Sequence, residues 1–339
     1  MPEAQLETHS VLFLSVDIVG STQYKQKNKD LWRKTFLSFY REFPQVLADI
    51  TDQCTDLDVP LRLWKAVGDE LIFTARVSSE SEIYHAVRCW IDAMNRYEES
   101  SLFGESLATK GGAFVATFPS PDSESSIPIN PSSEDSDADV LDLNEQALLE
   151  RDESRYRFDY FGPSVDTGFR VFSMCNERYF TLAVEVVWAL AAVSTSEGVS
   201  DTRHPLADLV FRGSHALKGV WNGREYPLFA IDRKINEGVN KALAGLENQG
   251  VEPHVALTLC RECVKSDGWP SHIYLANALH PEFKAPPSGT QVNTTEPTTA
   301  VDGYESVDES APEGVPNSSI DELLADVRKI LGMEPDPNP

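Results

Sequence analysis

Lysine and arginine are scarce in this chain: 29 of them stand against 54 aspartates and glutamates in 339 residues, a formal net charge of −25. The deficit excludes general binding to nucleic acid or to anionic membrane surfaces, both of which need a basic face. It does not exclude a nucleotide pocket, where a few local cations and a metal ion suffice. Cysteine is sparse as well. The five thiols, at 54, 89, 175, 260 and 263, are irregularly spaced and give no disulfide framework in a chain this long. Cys260-x-x-Cys263 lacks a second pair, and His254 and His272 complete no zinc spacing. His204 and His215 read as packed or surface histidines rather than catalysts. No apolar run approaches the roughly 18 residues of a membrane span, and residues 1–10 are polar and acidic rather than a leader. The expectation is a cytoplasmic protein without nucleic-acid or membrane partners. Its length allows one large or two ordinary domains with a substantial core.

What is present is a mixed pattern of strands and helices. Residues 11–19 (VLFLSVDIV) are nearly continuous apolar and β-branched, as in a buried central strand. A helix is expected from a cap at Asp30 to about Ile50, with a kink at Pro44. Residues 61–67 and 70–77 alternate around Gly68-Asp69 and predict a β-hairpin. A helix follows over 80–98 and a strand over 109–118. Residues 119–154 are dominated by proline, serine and acids, the composition of a mobile acidic insertion ending in a short helix near 142–150. A strand over 155–161 leads to a helix that starts at Pro163 or Ser164 and runs to Cys175, with proline in its first turn. A strand near 179–183, a helix to about 193, and strands near 207–217 and 224–231 complete a domain over 1–232. Hairpins mixed with helices predict an α+β fold, one sheet covered by helices. Beyond it come a small helical extension (233–284), a disordered linker (285–318) and an amphipathic terminal helix (319–332) carrying Ile320, Leu323, Leu324, Val327, Ile330 and Leu331.

Two acids stand out by position. Asp17 ends an apolar strand just before Gly20-Ser21-Thr22, and Asp69 sits in Lys65-Ala-Val-Gly-Asp-Glu70. Two carboxylates at the ends of adjacent strands, beside a glycine turn, suit a divalent-metal site for a triphosphate. Hard ions such as Mg²⁺ or Mn²⁺ take carboxylate and carbonyl oxygens, so the carbonyl of Ile18 is a further candidate ligand. Ser21 and Thr22 could offer hydroxyl and N–H groups to phosphates. The plainer alternatives stay open: a strand-end Asp also caps or turns a chain, and Gly-Asp is a common hairpin turn.

Four segments in unbroken order, spanning about 10–232, resemble the signatures of class III nucleotide cyclases. They are Phe13-Leu-Ser-Val-Asp-Ile-Val-Gly-Ser-Thr22, Lys65-Ala-Val-Gly-Asp69, Phe158-Asp-Tyr-Phe-Gly-Pro-Ser-Val-Asp-Thr-Gly-Phe-Arg170, and LKGVWNGREYPLF at 217–229. The resemblance implies a ferredoxin-like α+β domain, with a mixed or antiparallel sheet, that forms a head-to-tail homodimer with active sites at the interface. It implies that Asp17 and Asp69, with the Ile18 carbonyl, hold two divalent cations, Mn²⁺ or Mg²⁺. Thr22, beside Ser21, would touch the phosphates, and Lys65 and Asp159 would read the base. Arg170 would stabilise the transition state and Lys218 would bind the triphosphate. The metal aspartates would come from one subunit, and the arginine and phosphate lysine from the other.

One departure sharpens the reading. Where purine cyclases of this family place Asn, this chain has Asp166, in Val165-Asp-Thr-Gly-Phe-Arg170. Asp166 and Arg170 are four apart and share a helix face, so a local ion pair is one reading and an altered ribose contact another. The variant, with Trp64 before Lys65, resembles the pyrimidine cyclases of bacterial anti-phage defence (the Pycsar type). Trp64, Tyr160 and Phe161 are candidates to fill a pocket for a smaller base, or simply core aromatics. The resemblance implies conversion of UTP or CTP to the 3′,5′-cyclic monophosphate, a messenger for a separate effector. The alternatives are a purine cyclase, a catalytically silent nucleotide-binding module, or an adaptor acting through its terminal helix.

Overall fold

The computed structural model describes residues 6–102, 107–134, 137–195, 207–247 and 250–287. His204, the terminal helix expected at 319–332 and nearly all of the linker lie outside the described residues.

In chain order the elements are β1 (His9–Val19), α1 (Ser21–Lys27), α2 (Trp32–Gln53), β2 (Arg62–Val67), β3 (Glu70–Val77), α3 (Glu80–Ser100), β4 (Ala108–Lys110), β5 (Gly112–Phe118), β6 (Ser123–Pro128), α4 (Val140–Glu150), β7 (Tyr156–Phe161), α5 (Pro163–Phe172), β8 (Tyr179–Leu182), α6 (Val184–Thr195), β9 (Leu209–Ala216), β10 (Glu225–Asp232), α7 (Gly238–Glu247) and α8 (Pro253–Lys265). The main sheet runs β2-β3-β1-β5-β8-β10-β9, with β4 also paired to β1. All its ladders are antiparallel except β5 with β8. Within it, β1, β2, β3 and β5 lie in the order 2-3-1-5. Each helical crossover therefore skips one strand, the double split-βαβ arrangement called ferredoxin-like. The fold is the expected α+β.

Strand periodicity separates the two faces. Leu12, Leu14, Val16 and Ile18 of β1 point into the large core under α2, α3 and α6. Val11 and Phe13 point the other way, into an aromatic cluster with Phe114, Phe118, Val165 and Phe172, and Trp64, Tyr160 and Phe169 pack against it. Asp17 continues the second set.

Local chemistry explains the element boundaries. Ser79 and Glu82 form a reciprocal capping box that starts α3. The expected 109–118 strand is split at Gly111, where a Cβ would come within 2.0 Å of the Ser15 carbonyl oxygen; only glycine lets β5 cross β1 so closely. Helix α2 runs through Pro44, and its N-cap is Leu31 rather than Asp30, with no side-chain cap. Helix α5 begins at Pro163, as expected, and ends at Phe172.

Two regions differ from the composition-based expectation. Residues 123–128, expected to be without regular structure, form β6 and pair antiparallel with β7 in a separate two-stranded sheet. Asn144 of α4 ties that strand down, its side chain accepting from the Ser126 N–H and donating to the Glu124 carbonyl. Residues beyond 232 also join the main core. Helix α6 is buried on every side because α8 covers it, with Ala256, Leu257, Cys260 and Cys263 packed inward. No described helix is long and apolar enough to cross a membrane.

Candidate functional site

The β2–β3 hairpin turns on two residues, Gly68 at φ +63° and Asp69. The register of β3 on β1 sets Glu70 directly opposite Asp17. A cross-strand pair points to one side of a sheet, so Asp17 and Glu70 share the face carrying the aromatic cluster, with Asp69 at the turn beside them. Two ammonium groups serve as the resident counter-ions. Lys110 Nζ lies 3.0 Å from Asp17 Oδ2, and Lys25 Nζ lies 3.5 Å from Asp69 Oδ1. Burial raises the Asp17 pKa, Lys110 opposes that rise, and Asp69 adds to it. Burial also raises that of Glu70, and the Asp17 charge adds to it. The negative charge here exceeds what the lysines offset.

Ile18 buries its side chain in the helix-side core at 1 % exposure, so only its backbone faces this corner. Gly20, at φ +73°, turns the chain into α1, whose first residues are Ser21 and Thr22. Neither hydroxyl is engaged by a described residue. Among the described residues no group of three or more His, Cys, Asp or Glu side chains converges on one point. A cation placed at this corner would find Asp17, Asp69 and backbone oxygen as its donors. Hard oxygen donors with unrelieved negative charge fit a divalent cation such as Mg²⁺ or Mn²⁺.

A second group is built on β2, β7 and α5. Lys65 Nζ and Asp159 Oδ1 form an ion pair at 2.8 Å. The same ammonium lies 3.8 Å from the centre of the Trp64 ring. Trp64 meets Tyr160 edge-on at 5.2 Å, and both meet Phe13. Trp64 and Tyr160 are thus part of the aromatic packing and also flank Lys65, whereas Phe161 is 56 % exposed and belongs to neither.

Arg170 sits at the end of α5. Its Nε donates to the carbonyl of Lys218, on the loop between β9 and β10, and its Nη1 donates to the carbonyl of Asp166 at 3.0 Å. Of the two readings of Asp166, the ion pair with Arg170 is not formed: the guanidinium takes the backbone oxygen, and the Asp166 carboxylate is exposed. Arg170 and Lys218 are brought together, but neither contacts Asp17 or Asp69. Within one chain the sequence-derived candidates thus fall into a carboxylate group and a cationic group.

Asp122 positions α5. It is fully buried, and its Oδ1 accepts from the backbone N–H groups of Ser164 at 2.8 Å and Val165 at 3.3 Å, capping the helix from outside. Burial pushes its pKa up to about 6. Gly162 precedes the helix at φ +137° because a Cβ there would strike Asp122. Sequence reasoning missed Asp122, Glu70, Lys25 and Lys110. Hairpin register sets Glu70 across from Val67, and only the long-range pairing of β3 with β1 brings it opposite Asp17.

No family model matches the chain, and no curated protein matches it. Solved structures do. The adenylyl cyclase CyaB from P. aeruginosa is 12 % identical, covering 67 % of this chain and 96 % of its own, with a TM-score of 0.44. The catalytic core of a rhodopsin-guanylyl cyclase with converted specificity, in complex with ATPαS, is 13 % identical over 68 % of this chain and 100 % of its own, with a TM-score of 0.43. The guanylate cyclase domain of RhGC from Catenaria anguillulae, in complex with GTP, is 11 % identical over 68 % and 100 %, with a TM-score of 0.42. Identities and scores this low leave the chemistry to be read from the chain's own residues.

Proposed function

We propose that the chain is a metal-dependent pyrimidine nucleotide cyclase, acting as a homodimer on UTP or CTP to give the 3′,5′-cyclic monophosphate and pyrophosphate. One observation carries the reading. Asp17 and Asp69 are gathered at a strand end with only ammonium groups to balance them, on the sheet face that also carries Lys65, Asp159 and Arg170. The sequence resemblance supplies the reaction class and the anti-phage role.

In this reaction the ribose 3′ oxygen attacks the α-phosphorus in line while pyrophosphate leaves. Asp17, Asp69 and the Ile18 carbonyl would hold the divalent ions, which lower the pKa of the attacking hydroxyl and offset charge on the leaving oxygens. Arg170 presents fixed N–H donors to charge developing on the phosphoryl oxygens, and Lys218 pairs with the triphosphate. Ser21 and Thr22 add hydroxyl donors to the phosphates. Lys65 and Asp159 offer one donor and one acceptor, which matches the O4 and N3–H edge of uracil and equally the N3 and N4 amino edge of cytosine. Trp64 and Tyr160 crowd the space beside that pair, favouring one ring over two. The exposed Asp166 carboxylate would be the acceptor offered to the ribose. Since Arg170 and Lys218 do not reach the carboxylates of their own chain, a second copy would complete each site.

The test is incubation of the purified chain with each of the four nucleoside triphosphates and Mn²⁺, following cyclic product and pyrophosphate. Turnover of UTP or CTP is expected. Turnover of ATP or GTP alone makes it a purine cyclase, and binding without pyrophosphate release makes it a silent module. Mixing Asp69→Ala with Arg170→Ala subunits should restore part of the activity through one intact interface. Absence of rescue in subunits shown to exchange overturns the shared site.

A further inference from the structure

The helix-covered side of the sheet holds a cleft that the proposed chemistry does not use. It opens where the end of α2 meets α3, has a volume of about 360 Å³, and is lined in part by Cys54, Asp56, His85, Cys89 and Asp92. Two of the chain's five thiols therefore line one cavity, and both are free. Cys54 is the C-cap of α2 and is half-buried, whereas Cys89 lies on α3 at 4 % exposure. The two side chains face one another across the shared lining of this cleft, where burial and the Cys54 thiol both raise the Cys89 pKa. His85, Cys89 and Asp92 follow helical spacing along α3, but no three ligating side chains converge among the described residues. Dithiol chemistry fits the cleft better than metal binding.

We propose that Cys54 and Cys89 form a reversible disulfide, oxidised by low-molecular-weight disulfides of the glutathione type. Cys54, the accessible thiol, loses its proton and attacks the small disulfide; that S–S bond breaks, one small thiol leaves, and a mixed disulfide remains on Cys54. Cys89 then loses its proton and attacks the Cys54 sulfur, releasing the second small thiol. Two protein thiols are oxidised by two electrons, one small disulfide is reduced to two thiols, and the protein's two protons end on them. The stretch from Cys54 to β2 carries no helix or strand, so Cys54 can approach Cys89 without unwinding an element. Cys260 is fully buried between α8 and α6 and offers no competing access.

The experiment treats the full chain with oxidised glutathione, denatures it and counts thiols. The count should fall from five to three. A peptide map should show one cross-link between residues 54 and 89, with the mass of two hydrogens lost, and dithiothreitol should reverse it. Cys54→Ser should keep its four remaining thiols. Cys89→Ala should stop at a glutathione adduct on Cys54, and if it does not fold the Cys54→Ser result still decides. A wild-type count that stays at five, an unresolved adduct on wild-type Cys54, or a bond joining other cysteines overturns the proposal.

Discussion

The two faces of the β2-β3-β1-β5 sheet are made by the same strands and differ in nearly everything else. On the helix side, Phe39, Phe43, Trp90 and Met94 are fully buried, and the Trp90 Nε1 donates to the Ser15 carbonyl at 3.1 Å. On the other side a smaller aromatic cluster is rimmed by Asp17, Lys65, Asp159 and Arg170, all only partly buried. One face holds the fold together, and the other spends its rim on charge. The alternation of β1 makes this division possible, because each residue added to the strand serves one face without disturbing the other.

Mutations can break or sharpen that division. The largest expected effect belongs to the rim. On the proposed reading, Arg170→Ala should lower kcat/KM about 10³-fold or more, the scale of a lost transition-state arginine, with Tm close to wild type. A matching loss of Tm would mean that the rim is structural. The core should behave in the opposite way. Trp90→Ala should cost about 3–5 kcal/mol in a urea titration, through lost burial, cavity formation and a deprived Ser15 carbonyl.

A third effect tests the seam where α5 and α6 begin. Glu185 is fully buried, its Oε1 accepts from Trp269 Nε1 at 2.7 Å, its Oε2 has no partner among the described residues, and burial pushes its pKa up to about 7. An acid whose pKa is raised on folding binds more protons in the native state. Its contribution is therefore fully present near pH 4, is lost as pH rises towards 7, and is flat above that. Glu185→Gln should remove a pH dependence on the order of 3 kcal/mol from the difference between pH 5 and pH 8 urea titrations. Asp122, at about 6, adds a slope of the same sign. The smallest effect is a control belonging to neither face. Arg76 pairs with Glu7 at 2.6 Å, but both side chains are more than half exposed. Arg76→Ala should stay within about 0.5 kcal/mol of wild type.

Much of this was legible in the sequence where local chemistry decides it. The Gly68-Asp69 hairpin, the continuous apolar β1 and the proline that opens α5 each fell where pattern and turn residues put them. The misses are of other kinds. Strand β6 reads as a loop because Ser123–Pro128 is nearly all serine, acid and proline; the apolar character of that pair lies on its partner, β7. Asp122 caps a helix 42 residues away, a relation no local window contains. Helix α6 carries no amphipathic period because α8, which begins only at Pro253, closes its outer side. Lys110 was invisible because it meets Asp17 only as its cross-strand partner in the long-range β1–β4 ladder.

That lysine has a consequence for how the corner would load. An ammonium already resting on Asp17, and another on Asp69, must be expelled before any bare ion can settle there, so an ion arriving alone competes at a disadvantage. A nucleotide that brings its own phosphates gives the displaced amines somewhere to go. On the proposed reading, the corner would therefore select ion and triphosphate as a joint cargo, and would hold neither firmly by itself.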